Sequence, residues 1–204
     1  MKNFNSREEM LTYINNLSNG FKECLGKGSS ALSYLGNDNQ VYKIYNVFEN
    51  VNLDIINSNL NLEYFIFPQE IYLVDNKLAG YQTKYIKDDI LVNTKSLIMK
   101  ENTGEIDYSK LREAYERFLL EIDMITEKGI CLYDLIGNLL FDGENLYAID
   151  VDDYKYVEID YHSLYQKNIE IVDKALEYEL ENYYKSLNLE MPDVINELKS
   201  EKRK

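Results

Sequence analysis

Three polar residues could do chemistry together in this 204-residue chain: Asp134, Asn138 and Asp150, each set at the end of an apolar stretch within residues 129–153. Residues 139–141 and 146–149 read as two short strands around the turn Asp142, Gly143, Glu144, Asn145. A hairpin there brings Asn138 at one end beside Asp150 at the other. An amide oxygen next to a carboxylate suits a hard divalent cation such as Mg2+, and Asp134, a few residues upstream, is placed to accept a proton from an attacking hydroxyl. That combination is the layout of phosphoryl transfer.

A second constellation lies upstream. Leu25, Gly26, Lys27, Gly28, Ser29, Ser30 and Ala31 precede a strand over residues 32–35, a turn over 36–39 and a second strand over 41–45 that carries Lys43. Glycines between two strands let backbone N–H groups approach a triphosphate, and a lysine on the next strand can neutralise it. The competing phosphate site, a Walker A loop, does not fit. Gly20 and Gly26 have five residues between them instead of four, and Gly28 stands where Ser or Thr should bind Mg2+.

In this order the landmarks resemble the protein-kinase-like superfamily, whose pattern is Asp-Leu-x-x-x-Asn followed by Asp-Phe-Gly. The chain departs from it in three places. The stretch from Asp134 to Asn138 is one residue shorter, Leu132 stands where the family has His, and Ala31 replaces the third glycine of the loop. The metal-type motif, Asp150-Val151-Asp152, is closer to the aminoglycoside and choline kinase branch. The resemblance implies ATP and Mg2+ as cofactors, with Asp134 orienting or deprotonating the acceptor and Asn138 and Asp150 holding the metal. Lys43 would contact the phosphates, and Gly26, Lys27, Gly28, Ser29 and Ser30 would cover them. It also sets Thr83 at the back of the adenine pocket and Lys84, Tyr85 and Ile86 at the hinge.

These groups need a scaffold. Residues 65–74 and 78–86 read as antiparallel strands joined by the polar turn Asp75, Asn76, Lys77. The acid partner of Lys43 is expected on a helix within residues 48–60, where Glu49, Leu53, Ile56 and Leu60 share a face; Glu49 is the first choice and Asp54 the second. Ser6 to Glu9 form a capping box opening a helix with Met10, Leu11, Ile14 and Leu17 as its apolar stripe, and Gly20 can close it. A helix from Ser109 to Gly129 repeats apolar residues at helical spacing, and a third follows Tyr165, with a short tail helix after Pro192. Residues 87–107 carry the weakest pattern.

Composition narrows the function. The net charge of −14 disfavours nucleic acid and anionic membrane surfaces, and it would attract a cationic substrate. The first residues lack a signal peptide's apolar core and no apolar run reaches spanning length, so a cytoplasmic protein is expected. Cys24 and Cys131 read as unpaired thiols. His162, the one histidine, is assigned no chemical role. Only about a dozen residues separate Asp150 from the third helix, which leaves no room for a long activation segment and favours a small-molecule acceptor over a protein.

The expected architecture is α+β and two-lobed: an N-terminal helix over 1–20, a small antiparallel N-lobe over 21–86 and a mainly helical C-lobe over 87–204. The expected function is an ATP-dependent phosphotransferase acting on a hydroxyl, with a catalytically inactive kinase-like binding module as the alternative. The sequence assigns no oligomeric state.

Overall fold

In the computed structural model of the protein, the described residues are 1–49, 53–56, 60, 62–87, 90, 91 and 106–192. They fall into two compact units, the first drawn from Met1–Leu60 and Phe67–Tyr85, the second from Asn61–Ile66, Ile86–Thr94 and Lys100–Lys204.

The first unit is a six-stranded sheet built from β1 (Lys2–Phe4), β2 (Phe21–Lys27), β3 (Ala31–Gly36), β4 (Gln40–Glu49), β5 (Glu70–Val74) and β6 (Lys77–Lys84). Their spatial order is β1-β5-β6-β4-β3-β2. All neighbours are antiparallel except β1, which adds to β5 in parallel. Side chains alternate across a pleated strand, so β4 sends Tyr42 and Ile44 to one face and Lys43 and Tyr45 to the other. The first face packs on helix α1 (Arg7–Leu17) through Met10, Ile14, Tyr72 and Val74. The second collects Ala31, Tyr45, Ile71, Tyr81 and Ile56, the last from the short helix α2 (Leu53–Ile56). Ser6 caps α1 by accepting from the Glu9 N–H at 3.1 Å, and Glu9 returns a bond to the Asn5 N–H at 2.9 Å. The helix buries Met10 and Ile14 only; Leu11 and Leu17, expected on the same stripe, are exposed.

Gly80 is required by the sheet itself. A Cβ there would lie 2.6 Å from the Lys43 carbonyl oxygen, so only glycine lets β6 pass this close to β4.

Two expected elements differ. Glu49 is not a helix residue: it closes β4 opposite Leu78, because Val47 and Phe48 extend the strand past a register shift after Ile44. The helix is limited to Leu53–Ile56 among the described residues, and Asp54 on it is exposed. Likewise β5 begins at Glu70, two residues beyond Pro68, while Phe65 instead bridges Ala148 in the second unit.

The second unit holds the long helices α3 (Tyr108–Glu127) and α4 (Tyr161–Ser186), with the short strands β7 (Ile130–Cys131), β8 (Leu139–Phe141), β9 (Leu146–Ala148) and β10 (Lys155–Tyr156) between them. β7 pairs with β10 and β8 with β9, each pair antiparallel. Asp107 caps α3 and Asp160 caps α4, so both helices start earlier than their apolar periodicity indicates. Phe118 of α3 stacks on Phe65 at 4.5 Å, and the buried Glu121 accepts backbone N–H bonds from Glu63, Tyr64 and Phe65 at 2.5, 2.9 and 3.2 Å. The tail helix expected after Pro192 lies outside the described residues. Cys24 and Cys131 are both free thiols, and His162 is exposed on the first turn of α4. Among the described residues no helix is long and apolar enough to cross a membrane.

Candidate functional site

The loop between β7 and β8 carries Asp134 and Asn138, and two buried polar residues of α4 hold it in place. Asn168 accepts from the Leu132 N–H at 2.9 Å and donates to the Ile130 carbonyl at 3.0 Å and to Thr126 Oγ1 at 3.1 Å. Glu179, with no exposed surface, accepts from the Gly137 N–H at 2.6 Å. Neither was expected from the sequence. The signal was present, since each falls on the stripe of Val172, Ala175, Leu176, Leu180 and Tyr183 where an apolar residue belongs. A polar residue on a buried stripe must have partners.

Between these anchors the loop turns sharply. Asn138 N–H donates to the Leu135 carbonyl at 3.0 Å, and Gly137 takes φ 75°, a conformation that glycine adopts without steric cost. This turn accommodates the missing residue. It leaves Asn138 Nδ2 donating to the Asp134 carbonyl at 2.6 Å. A carbonyl only accepts, so the nitrogen end of the amide faces Asp134 and Oδ1 is the end left for another group. The Asn138 carbonyl in turn accepts from the Ile149 N–H at 2.9 Å, which extends the β8–β9 pairing to the residue before Asp150. Asp134, Asn138 and the Asp150 segment are therefore tied together within one unit, through Asn138. Asp142 makes the turn of this hairpin by accepting from the N–H groups of Glu144 and Asn145 at 2.9 and 2.7 Å.

Asp134 and Asp150 both lie in the left-handed region, at φ 47° and 64°. Strain of this kind gathers at functional sites. It is not decisive here, because Asn39, Asp75 and Asn76 adopt it in plain turns and Asp and Asn tolerate it best. After Asp150 a 3-10 turn, Val151–Asp153, leads to Tyr154, which is 1% exposed and packs its ring on Phe65. Burial raises the Tyr154 phenol pKa, and the nearby carboxylates of Asp150 and Asp152 add to this. Its hydroxyl has no hydrogen-bond partner among the described residues.

Among the described residues no group of three or more His, Cys, Asp or Glu could hold a metal by itself. Mg2+ is commonly bound through one or two protein oxygens plus phosphates and water, and the Asp150 carboxylate and Asn138 Oδ1 are oxygen donors of that kind.

In the first unit the glycine loop is a tight hairpin. Gly26 pairs with Ser33 and Lys27 with Leu32, the Gly28 N–H donates to the Ala31 carbonyl at 2.9 Å, and the Ser30 carbonyl accepts from the Asn46 N–H at 2.7 Å. Lys27, Gly28 and Ser29 are exposed. Lys43 lies on the central strand β4, opposite Ser33 on one side and Tyr81 on the other. It is 9% exposed, with its ammonium 5.2 Å from the Tyr45 ring centre and 5.7 Å from that of Tyr81. Thr83, buried on β6, shares this face and donates to the Phe67 carbonyl at 3.4 Å. Lys84 ends β6 exposed and Tyr85 is half-buried. Ile86 belongs to the second unit, in a cluster with Ile66, Leu140 and Tyr147. The expected residues are thus grouped as Lys43, Thr83 and the glycine hairpin in one unit, and Asp134, Asn138 and Asp150 in the other.

No family model matches the chain, and no curated protein sequence does. Among solved structures it is similar to the kinase PK-1 of Cydia pomonella granulovirus, with TM-score 0.54 and 18% identity, over 74% of this chain and 60% of that one. It is also similar to the autoinhibited serine kinase domain of the giant muscle protein titin, with TM-score 0.52 and 10% identity, over 68% of this chain and 46% of that one. The fold is protein-kinase-like. The chain spans about half to three fifths of the length of these two kinases. At such low identity the likeness concerns the fold, and the chemistry has to be argued from the kinase-like loop and strand residues themselves.

Proposed function

We propose that this kinase-like chain transfers the γ-phosphoryl group of ATP to a hydroxyl of a small molecule. The observation that carries the reading is the bonding of Asn138, whose side chain reaches the Asp134 carbonyl while its backbone pairs with Ile149, next to Asp150. The shortened loop therefore keeps the three residues on which the chemistry depends in one bonded unit.

In this reading the Asp150 carboxylate and Asn138 Oδ1 hold Mg2+, which would supply charge neutralisation on the phosphates. By the resemblance, Lys43 would contact phosphates from its strand, and the hairpin Gly26, Lys27, Gly28, Ser29, Ser30 would cover them. Thr83 and the backbone of Lys84, Tyr85 and Ile86 receive adenine. Asp134 orients the acceptor hydroxyl and takes its proton as the oxygen–phosphorus bond forms and the bond to the ADP oxygen breaks. Glu49 is dropped as the acid partner of Lys43, since it closes a strand; Asp54 takes its place.

The rival reading, an inactive kinase-like module, draws on Leu132 in place of His and on the Gly28 N–H, which is engaged within its own hairpin. One experiment separates the two. A ligand confined to the folded state stabilises it by roughly 2.7 kcal/mol at about a hundred times its dissociation constant, so millimolar MgATP raises the Tm in the active reading. The rise disappears in Asp150→Ala and shrinks in Lys43→Ala. With an acceptor that wild type phosphorylates, Asp134→Asn keeps the nucleotide shift and lowers turnover by about a hundredfold to ten-thousandfold. Absence of any MgATP shift in wild type removes the phosphotransferase reading.

A further inference from the structure

The residue next to Asp134 is Tyr133, half-buried, and two lysines converge on its ring. Lys155 Nζ lies 5.0 Å from the ring centre and Lys167 Nζ 5.3 Å from it. They arrive from different elements, Lys155 from β10 and Lys167 from α4. The placement of Lys155 is dictated by the sheet: it pairs with Cys131, two residues before Tyr133. Lys167 immediately precedes Asn168, the residue that fastens the loop to α4. Both ammonium groups are thus carried by the parts of the unit that also fix Asp134.

Neither lysine forms an ion pair among the described residues. In a chain with 36 acidic against 22 basic residues, a lysine has no shortage of carboxylates to pair with. Lys167 also hydrogen-bonds to the Cys131 thiol and the Tyr133 hydroxyl, and a ring face at an exposed site returns only about 0.5–1 kcal/mol to each cation. The chain-wide charge of −14 does not decide the matter at contact distance, because exposed charges beyond about 8 Å are largely screened at physiological salt.

We propose that Tyr133, Lys155 and Lys167 form the acceptor subsite, and that the acceptor is a small hydroxyl compound bearing a phosphate or carboxylate group. The two ammonium groups take the anionic group, Tyr133 supplies the apolar wall against which the carbon skeleton lies, and Asp134 meets the hydroxyl. This rests on the phosphotransferase reading and reverses the cationic substrate that the net charge alone suggests.

The test measures binding first without nucleotide, by titration calorimetry with three matched probes: glycerol, D-glycerate and glycerol 3-phosphate, each pair differing in the anionic group. Repeating the titrations with MgATP present covers ordered binding. The anionic probes are expected to bind and glycerol not to, with the affinity falling about tenfold in Lys155→Gln and again in Lys167→Gln, and largely kept in the corresponding Lys→Arg variants. Equal binding of all three probes, anion binding that survives the double Lys→Gln variant, preference for choline, or binding of an acidic peptide in place of the small anions would each overturn the proposal. So would lysine-dependent anion binding in a protein that takes MgATP yet phosphorylates no anionic hydroxyl compound. Failure of the phosphotransferase reading is seen separately, as the absence of any MgATP shift.

Discussion

Replacing Asn168 by Leu should unfasten the Asp134 loop, and the cost can be worked from its bonds. The side chain has no exposed surface and satisfies the Leu132 N–H and the Ile130 carbonyl, both of them buried residues. Leucine has a similar volume, so packing changes little, but both backbone groups lose their partner. A buried donor or acceptor left unmade costs about 1–3 kcal/mol, which gives about 2–6 kcal/mol for the pair before any gain in apolar burial. Thr126 adds little to the loss, since its hydroxyl still donates to the Ile122 carbonyl at 2.7 Å. For a chain of this size each 1 kcal/mol moves Tm by about 2–4 °C, so a fall of roughly 4–24 °C is expected. Urea unfolding followed by far-ultraviolet circular dichroism measures it, because the chain has no tryptophan to report by fluorescence. Thr126→Val, which removes one partner of Asn168 and leaves the loop bonds intact, sets the scale at about 1 kcal/mol. A loss below about 1 kcal/mol in Asn168→Leu would refute the argument that this amide carries the loop.

Two further outcomes follow from close contacts and burial. Gly80→Ala places a methyl 2.6 Å from the Lys43 carbonyl and should destabilise by about 1–3 kcal/mol, whereas Gly28→Ala meets the Ala31 carbonyl at 3.6 Å and should stay within about 0.5 kcal/mol; parallel urea titrations distinguish them. Stability should fall at alkaline pH: burial raises the pKa of Tyr115, helped by Asp173, and of Tyr154, helped by Asp150 and Asp152. The folded state then holds phenol protons that the unfolded chain releases above pH 10, so stability is full below that pH and drops by up to about 1.4 kcal/mol per pH unit per tyrosine above it. Unfolding free energies at pH 8 and pH 11 check this, and Tyr154→Phe should remove one share of the slope while leaving stability at pH 8 equal or higher, since its hydroxyl is orphaned.

The sequence was legible where local chemistry decides structure. Asp142 with Gly143 makes a turn almost regardless of context, so the β8–β9 hairpin, which extends to the bond between the Ile149 N–H and the Asn138 carbonyl, could be read directly. Ser6 and Glu9 likewise declare the start of α1. Lys43 on a central strand followed from the turn over residues 36–39. Reading failed where tertiary context decides. Glu49 sits at a helix-compatible spacing from Leu53 and Ile56, yet Val47 and Phe48 keep the chain in β4 because β6 offers it a partner there. Leu11 and Leu17 fit the α1 stripe by angle, but β1 and β5 fill the face with Phe4, Tyr72 and Val74 and need only Met10 and Ile14 in return. The helix starts at Tyr108 and Tyr161 were missed because their caps, Asp107 and Asp160, are not followed at once by apolar periodicity.

The shortened loop shows why a departure from a family pattern has to be judged on the bonds it leaves. Deleting a residue between Asp134 and Asn138 would ordinarily rotate the amide away from the aspartate, since each residue reverses the direction of its side chain in an extended segment. Here Gly137 absorbs the change by adopting φ 75°, and its N–H, which such a turn would otherwise leave buried and unpaired, is taken by Glu179 at 2.6 Å. Glycine and glutamate therefore act as one device: the first permits the turn and the second satisfies it. The price is a carboxylate with no exposed surface, so Glu179→Leu should destabilise the protein while Glu179→Gln, which keeps an acceptor oxygen for Gly137, should be the milder change. The Glu179–Gly137 bond thereby fixes the turn that sets the position of Asn138, and through it of Asp134 and the Asp150 segment.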